Sequence, residues 1–282
     1  MGKYANTLGE IILLTAFLFP GQGSQKVSMG YDLYKHTDIG KKYFDLANDI
    51  MACDIKNIVF NGPDDKLKET KFTQPAIYIV SVIIGKILID RGLVPAMVAG
   101  HSLGEYSACT ISGSFSFENG LSLVKLRAEN MQIAGKTNPG TMAAIIGMSF
   151  EDIQNICTTT SRENCLVVPA NHNSPNQIVI SGHKSAVEEA MKQARDSGAR
   201  LVKELNVSGA FHSSLMHGAK DALSEALDKT EINNANIPVY SNVSATATSE
   251  SDEIRLNLKN QIDSPVLWSS IIMNMKNDNA SK

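Results

Sequence analysis

Cysteine is scarce in this sequence, whose 282 residues contain only Cys53, Cys109, Cys157 and Cys165. No two of them form a C-x-x-C pair, and no group of cysteines and histidines has the spacing of zinc ligands. This excludes a small disulfide framework and a zinc site built on clustered cysteines. We therefore expect reduced thiols in a reducing compartment, with neither a metal ion nor a cofactor.

Strong charge of one sign and long apolar runs are also missing. Charged residues make up 20% of the sequence and the formal net charge is −3, which is typical neither of a nucleic-acid binder nor of a polybasic membrane protein. The longest apolar run, residues 11–19, is too short to span a bilayer and lacks the cleavage pattern of a signal peptide. We predict a soluble monomer without a nucleic-acid or membrane partner, in the cytoplasm or an organelle.

In the first half of the sequence, short apolar runs alternate with helical segments. Residues 11–19 predict a buried strand, residues 31–51 a polar helix, residues 73–90 an apolar helix and residues 94–99 a second buried strand. This alternation predicts an α/β fold, with a parallel sheet covered on both faces as in an α/β-hydrolase-like core. Functional residues of such a sheet gather at the carboxyl ends of its strands.

A second pattern follows, in the order β-α-β-β-α-β of a ferredoxin-like unit. The strands are predicted at residues 142–148, 166–170, 177–181 and 200–207, and the helices at 151–159 and 186–197. We predict a ferredoxin-like subdomain at residues 138–207, inserted into a core made of residues 11–137 and 208–282. The polar end of the chain, from residue 276 onward, is expected to be frayed.

Ser102 stands in a G-x-S-x-G motif between the second predicted strand and a helix that runs to about Ile111. A serine on such a sharp turn is held in a strained conformation with its hydroxyl exposed, and side chains at Gly100 or Gly104 would crowd the turn. The strand before it and the helix after it favour a nucleophile over a chance pentapeptide. Glu105, in the first helical turn, is explained by the helix dipole.

A serine hydroxyl needs a base to become a nucleophile, and the sequence offers six histidines. His36 and His183 lie in polar stretches and are expected at the surface, and His172 is expected in a loop near the cleft between the subdomains. His101 should point away from its neighbour on the sharp turn. His212 follows the segment that returns the chain to the core, but spacing alone leaves it level with the other five together.

Four motifs, in this order, give the sequence a specific resemblance. They are F-P-G-Q-G-S-Q at residues 19–25, G-H-S-L-G-E-Y at 100–106, G-A-F-H at 209–212 and S-P-V-x-W at 264–268. Together they resemble the malonyl-CoA:acyl-carrier-protein transacylase family over about residues 15–272. Members usually continue through another strand, a glycine-proline turn and a closing helix, whereas this sequence ends at Lys282; the difference bears on stability and sheet completeness.

The resemblance implies a role for each motif. Ser102 would be the acyl-accepting nucleophile and His212 its base, and the backbone N–H groups of Gln22 and Leu103 would form the oxyanion hole. The backbone carbonyl of Gln261 would orient the histidine in place of the usual acid, which makes the site a dyad rather than a triad.

Arg127 and Phe211 are implied as selectivity residues. Arg127 matches the arginine that pairs with the free carboxylate of the malonyl group, a role that suits a guanidinium because it binds a carboxylate through two parallel hydrogen bonds. Without the resemblance, a surface arginine paired with Glu129 or Asp221 would be favoured. Phe211 would crowd the added methyl of a branched substrate, which gives only partial selectivity.

The implied activity is transfer of a malonyl group from malonyl-CoA to the phosphopantetheine thiol of acyl carrier protein. It would proceed by a ping-pong mechanism and supply fatty acid or polyketide synthesis. Two alternatives remain: an α/β-hydrolase-type esterase or thioesterase, which also uses G-x-S-x-G, and a non-catalytic paralogue that only binds carrier protein. Acyl transfer measured against hydrolysis separates the first, and a stable mass adduct on Ser102 separates the second.

Overall fold

In the computed structural model, which describes residues 14–281, helices flank two separate four-stranded sheets. The strands are β1 (Ala16–Phe19), β2 (Met97–Gly100), β3 (Thr141–Ile146), β4 (Val167–Ser174), β5 (Gln177–Gly182), β6 (Leu201–Glu204), β7 (Val239–Tyr240) and β8 (Ala247–Thr248). The helices are α1 (Tyr31–His36), α2 (Asp38–Met51), α3 (Ile55–Asn61), α4 (Asp64–Leu67), α5 (Thr70–Asp90), α6 (Gly104–Ile111), α7 (Phe117–Thr137), α8 (Phe150–Thr160), α9 (Lys184–Asp196), α10 (His217–Lys229), α11 (Ser251–Gln261) and α12 (Trp268–Asn277).

The first sheet has the strand order β1-β2-β7-β8. Strands β1, β2 and β7 are parallel, and β8 joins the edge antiparallel to β7. All four residues of β2 are buried, which is the continuous apolar pattern of a parallel strand covered on both faces. The predicted α/β fold with a parallel sheet is confirmed, and β1 and β2 end side by side at Phe19 and Gly100.

Helix α5 is the apolar helix predicted from residue 73, and it begins at Thr70. Among the described residues it is the one helix long and apolar enough to cross a membrane, and 61% of its most apolar window is buried inside the protein. It packs against α6 and α7. These contacts are those of the central helix of a globular core.

The second sheet is antiparallel throughout, with the strand order β4-β5-β3-β6. Helices α8 and α9 pack on it and close a separate apolar cluster. Val266, in the segment between α11 and α12, forms a parallel bridge with Asn171 of β4. The backbone of Val266 donates to Ala170 O and accepts from His172 N, each over 2.9 Å.

Several predicted elements have different bounds in the structure, and three of them show why. The helix predicted over residues 31–51 is broken at Thr37, which is extended and caps α2 by accepting a hydrogen bond from Gly40 N. The strand predicted from residue 94 begins only at Met97, after Pro95, whose ring removes a backbone donor. Strand β6 ends at Glu204 instead of residue 207.

Two further predictions were wrong. His172 lies within β4, not in a loop, and its ring stacks on Phe150. The C-terminal segment is not frayed over its described part, because Leu14 N donates to Asn279 O over 2.9 Å and Ser281 N donates to Leu14 O over 3.0 Å. Leu14, two residues before β1, therefore holds the C-terminal segment. The part of the predicted first strand before Leu14 lies outside the described residues.

Candidate active site

The turn between β2 and α6 holds Ser102 in a left-handed conformation, with a φ of 50°. Two glycines make this turn possible. A Cβ on Gly100 would lie 1.9 Å from the backbone carbon of Gly104, and a Cβ on Gly104 would lie 2.2 Å from the carbonyl oxygen of Phe19. No side chain fits at either position, so the turn presents the serine hydroxyl at the carboxyl end of the sheet.

His212 is the histidine that reaches this hydroxyl. Its Nε2 lies 2.8 Å from Ser102 Oγ, and its Nδ1 lies 2.9 Å from Gln261 O and 3.2 Å from Ser264 O. Because a carbonyl oxygen only accepts, Nδ1 carries the proton and Nε2 is left to accept one from the serine. Among the described residues, no carboxylate takes part in this arrangement, which is a dyad oriented by backbone carbonyls.

The imidazole of His212 is held neutral. Burial lowers its pKa to about 3, and the positive charge of Arg127 adds to the effect. A neutral imidazole has the lone pair that a general base requires. The left-handed backbone of His212, with a φ of 58°, is a second strained position at this site.

The low pKa of His212 predicts a loss of stability in acid. An unfolded histidine takes up a proton near pH 6.5, whereas the buried His212 does so only near pH 3; the unfolded state therefore binds more protons between these values, and the free energy of unfolding falls as the pH falls through this window. Urea unfolding of the wild type and of His212→Asn at pH values from 7 to 4 tests this prediction, because Asn keeps a donor for Gln261 O but does not titrate. The wild type should lose more stability than the variant; equal losses would contradict the prediction. Other titrating groups are common to both proteins and cancel in the difference.

Arg127 comes from α7 and is almost fully buried, at 1% exposure. Its Nη1 donates to Gln74 Oε1 over 2.7 Å, and its Nη2 donates to Gln261 Oε1 over 2.9 Å and to Ser102 Oγ over 3.0 Å. Its Nε has no hydrogen-bond partner among the described residues. No carboxylate within residues 14–281 forms an ion pair with this guanidinium beside the serine, which fits an anionic ligand. Its burial rules out the alternative of an exposed surface pair.

A cavity of about 130 Å³ connects these groups. It is lined by Gln22, Gln74, His101, Ser102, Leu103, Arg127, Met131, Met142, Asn171, Leu205, Val207, Phe211 and His212. Six of the seven predicted site residues thus share one cavity, and the seventh, Gln261, forms hydrogen bonds with three of them, Ser102, Arg127 and His212. A larger groove of about 390 Å³, between β1 and α5, contains none of them.

The two predicted oxyanion donors lie on adjacent turns of this cavity. Leu103 directly precedes α6, and Gln22 lies on the turn after β1. Neither backbone N–H has an acceptor within the described part of the chain. Two free N–H groups beside a serine are what a developing oxyanion requires.

Ser102 Oγ contacts His212 and Arg127, whereas the imidazole of His101 contacts Asn173, which agrees with the expected divergence of His101 from its neighbour. Its ring lines the same cavity as Ser102, with Nε2 2.8 Å from Asn173 Oδ1 and the ring edge against Trp268. The side chain thereby links the turn to strand β4 of the second sheet. His36 is exposed, as predicted, whereas His183 is half-buried and its Nδ1 accepts a hydrogen bond from Leu166 N over 2.9 Å.

Sequence reasoning missed three residues of the site. Asn242 accepts a hydrogen bond from Ser102 N over 2.6 Å, and Glu105, which the helix dipole was thought to explain, is buried and accepts one from Gln261 Nε2 over 2.6 Å. Gln74 was detectable as a polar residue inside an apolar helix. Asn242 stands in no motif, and nothing in the sequence marks it.

A serine on a strained strand-to-helix turn, paired with a neutral histidine beside two free N–H groups, is the arrangement of enzymes that transfer acyl groups through an acyl-serine ester. The family model for the acyl transferase domain matches residues 16–279. Malonyl CoA-acyl carrier protein transacylase of Bacillus subtilis (strain 168) is 40% identical over 257 residues, which are 91% of this chain and 81% of the relative. The Staphylococcus aureus (strain COL) protein of the same name is 38% identical over 252 residues, 89% of this chain and 81% of the relative.

Solved structures agree with these relatives. The malonyl CoA-acyl carrier protein transacylase of Coxiella burnetii superposes with a TM-score of 0.91 at 36% identity, covering 96% of this chain and 86% of the neighbour. A malonyl-transacylase solved in complex with its type II PKS acyl-carrier protein gives a TM-score of 0.90 at 35% identity, covering 95% and 86%. The chain belongs to the acyl transferase family, and within it to the malonyl CoA-acyl carrier protein transacylases.

Proposed function

We propose that this chain transfers a malonyl group from malonyl-CoA to the phosphopantetheine thiol of an acyl carrier protein, through an ester on Ser102. The observation that carries the proposal is the contact of one oxygen, Ser102 Oγ, with both a base and a cation. His212 Nε2 lies 2.8 Å from it, and Arg127 Nη2 lies 3.0 Å from it on another side. The names of the relatives supply the substrate class.

In the first half-reaction, His212 Nε2 takes the proton of the Ser102 hydroxyl while Oγ attacks the thioester carbon. The negative charge that develops on the carbonyl oxygen is stabilised by the N–H groups of Gln22 and Leu103. The C–S bond then breaks, and the leaving sulfur of coenzyme A takes the proton from His212. The carbonyl of Gln261 holds the imidazole in the tautomer that both transfers need.

The second half-reaction repeats these steps with a new thiol. The phosphopantetheine thiol of the carrier protein gives its proton to His212 Nε2 and attacks the ester carbon. The bond to Ser102 Oγ breaks, and this oxygen recovers its proton from His212. One site thus serves two thiols in turn, as a ping-pong mechanism requires.

Arg127 and Phe211 set the choice of acyl group in this proposal. The guanidinium would release Ser102 Oγ and pair with the malonyl carboxylate, which replaces its missing anionic partner. Phe211 is buried, lines the cavity and directly precedes the base. Its ring would crowd a methyl branch on the acyl group, and such discrimination is worth only about 1–3 kcal/mol.

The same comparisons do not favour the hydrolase alternative, and a carrier protein as the acyl acceptor is supported by a structural neighbour that was solved with one. The products of such enzymes supply fatty acid or polyketide synthesis. We keep the cytoplasm as the site of action and a monomer as the active form, both as predictions. The first of these agrees with the burial of α5, the one apolar helix of membrane-spanning length among residues 14–281.

A ferredoxin-like subdomain at residues 138–207, within a hydrolase-like core of residues 11–137 and 208–282, remains part of the proposal. Its support is the order β3-α8-β4-β5-α9-β6 along the chain, together with the spatial order β4-β5-β3-β6. The separate apolar cluster under α8 and α9 agrees with a unit that has its own core.

The sharpest test of the malonyl assignment is Arg127→Ala. The malonyl carboxylate would then be buried without a partner, and the free-energy barrier to malonyl transfer should rise by several kcal/mol. Acetyl-CoA lacks this carboxylate and should suffer much less, although loss of the contact with Ser102 Oγ will slow both substrates somewhat. The measurement is the rate of serine acylation by malonyl-CoA divided by the rate with acetyl-CoA, and this ratio should fall in Arg127→Ala.

Two further variants complete this test. Arg127→Lys keeps the charge without the two-pronged geometry and should recover only part of the malonyl preference. Lys136→Ala removes an exposed cation from the last turn of the same helix and should leave the ratio unchanged. If Arg127→Ala lowers both rates by the same factor, the arginine is structural and the malonyl assignment loses its chief chemical support.

A further inference from the structure

The carboxyl group of Glu105 has no role in the proposed reaction, yet its environment is unusual. It lies in the first turn of α6, where acidic residues are ordinarily solvated, but its side chain is only 2% exposed. Burial of a carboxyl group is costly unless hydrogen bonds compensate. The hydrogen-bond partners that compensate this burial therefore indicate what the side chain does.

One oxygen of Glu105, Oε2, accepts hydrogen bonds from two distant segments of the chain. Gln261 Nε2 lies 2.6 Å away and Asn242 N lies 3.2 Å away. Gln261 ends α11, and Asn242 follows β7. A single atom thus ties the start of α6 to both segments.

Asn242 and Gln261 in turn hold the peptide groups on both sides of Ser102. Asn242 Oδ1 accepts from Ser102 N over 2.6 Å, and its Nδ2 donates to Gly100 O over 2.7 Å. Gln261 Nε2 also donates to Ser102 O over 2.8 Å, while its own carbonyl oxygen accepts from His212 Nδ1 over 2.9 Å. The strained conformation of Ser102 persists only if its surroundings enforce it. A shift of Gln261 would move both the serine and its base.

We propose that Glu105 is a positioning residue whose carboxyl oxygen fixes Asn242 and Gln261, and through them the conformation of Ser102 and the orientation of His212. The inference rests on the acyl-serine reaction proposed above and gives Glu105 no contact with substrate. It differs in kind from a helix-dipole role, which needs a negative charge near the start of α6. Positioning needs an acceptor oxygen at one place.

The alternative is a charge role, since Arg127 faces Glu105 across Gln261. Two substitutions separate position from charge: E105Q keeps an acceptor at the same reach without the charge, and E105D keeps the charge but is one methylene too short for both donors. E105A removes both. Burial raises the pKa of the Glu105 carboxyl to about 7, so the variants are compared above this pH, where the native carboxyl is charged and the amide of E105Q is not.

Two rates are measured for each variant. The first is the single-turnover rate of acylation by malonyl-CoA, followed by intact mass. The second is the rate at which phenylmethylsulfonyl fluoride modifies Ser102, which reports on the nucleophile and base without a malonyl carboxylate or coenzyme A. A matched control is E118Q, at the exposed acid in the first turn of α7.

We expect E105D and E105A to slow both rates by tenfold or more, because a misplacement of about 1 Å at a reacting group costs on the order of a hundredfold. The KM for malonyl-CoA should change little, since Glu105 does not touch the substrate. E105Q and E118Q should remain close to the wild type. Rescue by glutamine but not by aspartate is a pattern that loss of charge alone does not produce.

Faster acylation by E105D than by E105Q would overturn the proposal in favour of a charge role, and equal rates in E105D, E105Q and the wild type would overturn it outright. Thermal unfolding checks that each variant is folded. If E105A does not fold, the comparison of E105D with E105Q still distinguishes a positioning role from a charge role. If malonyl-CoA leaves no adduct on the wild type, the transferase function fails, while the sulfonyl fluoride rates still test the role of Glu105.

Discussion

Replacement of Ser102 by alanine should abolish the malonyl-enzyme adduct while the chain still folds. In the proposed reaction the hydroxyl oxygen is the only atom that is esterified, so its removal leaves nothing to carry the acyl group. The turn itself is held through the main chain of Ser102, whose N–H donates to Asn242 Oδ1 and whose carbonyl oxygen accepts from Gln261 Nε2. Both hydrogen bonds are retained in Ser102→Ala, because they involve only main-chain atoms of residue 102. Intact-mass measurement after incubation with malonyl-CoA reads the adduct directly.

Ser107→Ala is the matched control for this prediction. Ser107 lies in α6, just beyond the turn, and its buried hydroxyl has no hydrogen-bond partner among the described residues. The adduct should form at the wild-type level in this variant. An undiminished adduct in Ser102→Ala would remove the nucleophile assignment, and with it the ester mechanism.

Replacement of His212 by alanine should lower the transfer rate by about 10²–10⁴, the usual contribution of general acid–base catalysis. The 2.8 Å contact of Nε2 with Ser102 Oγ and the neutral state of the buried ring both suit a base. Both half-reactions pass a proton through this nitrogen, so acylation and transfer to the carrier thiol should slow together. Single-turnover measurements of each half-reaction check this.

The exposed His36 gives the control for His212, since His36→Ala removes an imidazole remote from the cavity. Its rates should equal those of the wild type. A fall of less than about tenfold in His212→Ala would be too small for a lost general base. The base would then have to be another group, and His101, which lines the same cavity, is the first to examine.

Local patterns explain why much of the fold was predictable. The strand, sharp turn and helix around Ser102 depend on an apolar run and two glycines that are close in sequence, and the structure has all three. The break at Thr37 was missed because it depends on one hydroxyl that caps α2 rather than on a change of hydrophobic period. The C-terminal segment was missed because its partner, Leu14, lies at the other end of the chain.

The site residues also differ in whether a local sequence pattern marks them. The glycines of the turn mark Ser102 as a candidate nucleophile, but from the residues alone His212 stood level with five other histidines. Burial, the contact with Ser102 Oγ and the contact with Gln261 O distinguish it in the structure. Asn242 could not have been found, because an isolated asparagine has no pattern and its contacts with the turn join segments far apart in sequence.

The close approach of the two turns that carry Gln22 and Leu103 has a consequence for tolerance to mutation. Besides Gly104 against Phe19, a Cβ on Gly21 would lie 2.6 Å from the carbonyl oxygen of His101. Main chain therefore contacts main chain where the two turns that carry the proposed oxyanion donors meet. Core side chains elsewhere can change size and repack without altering the distance between these donors. Most substitutions elsewhere in the core should therefore leave the reaction geometry unchanged. A single added methyl group at Gly21 or Gly104 would disrupt it.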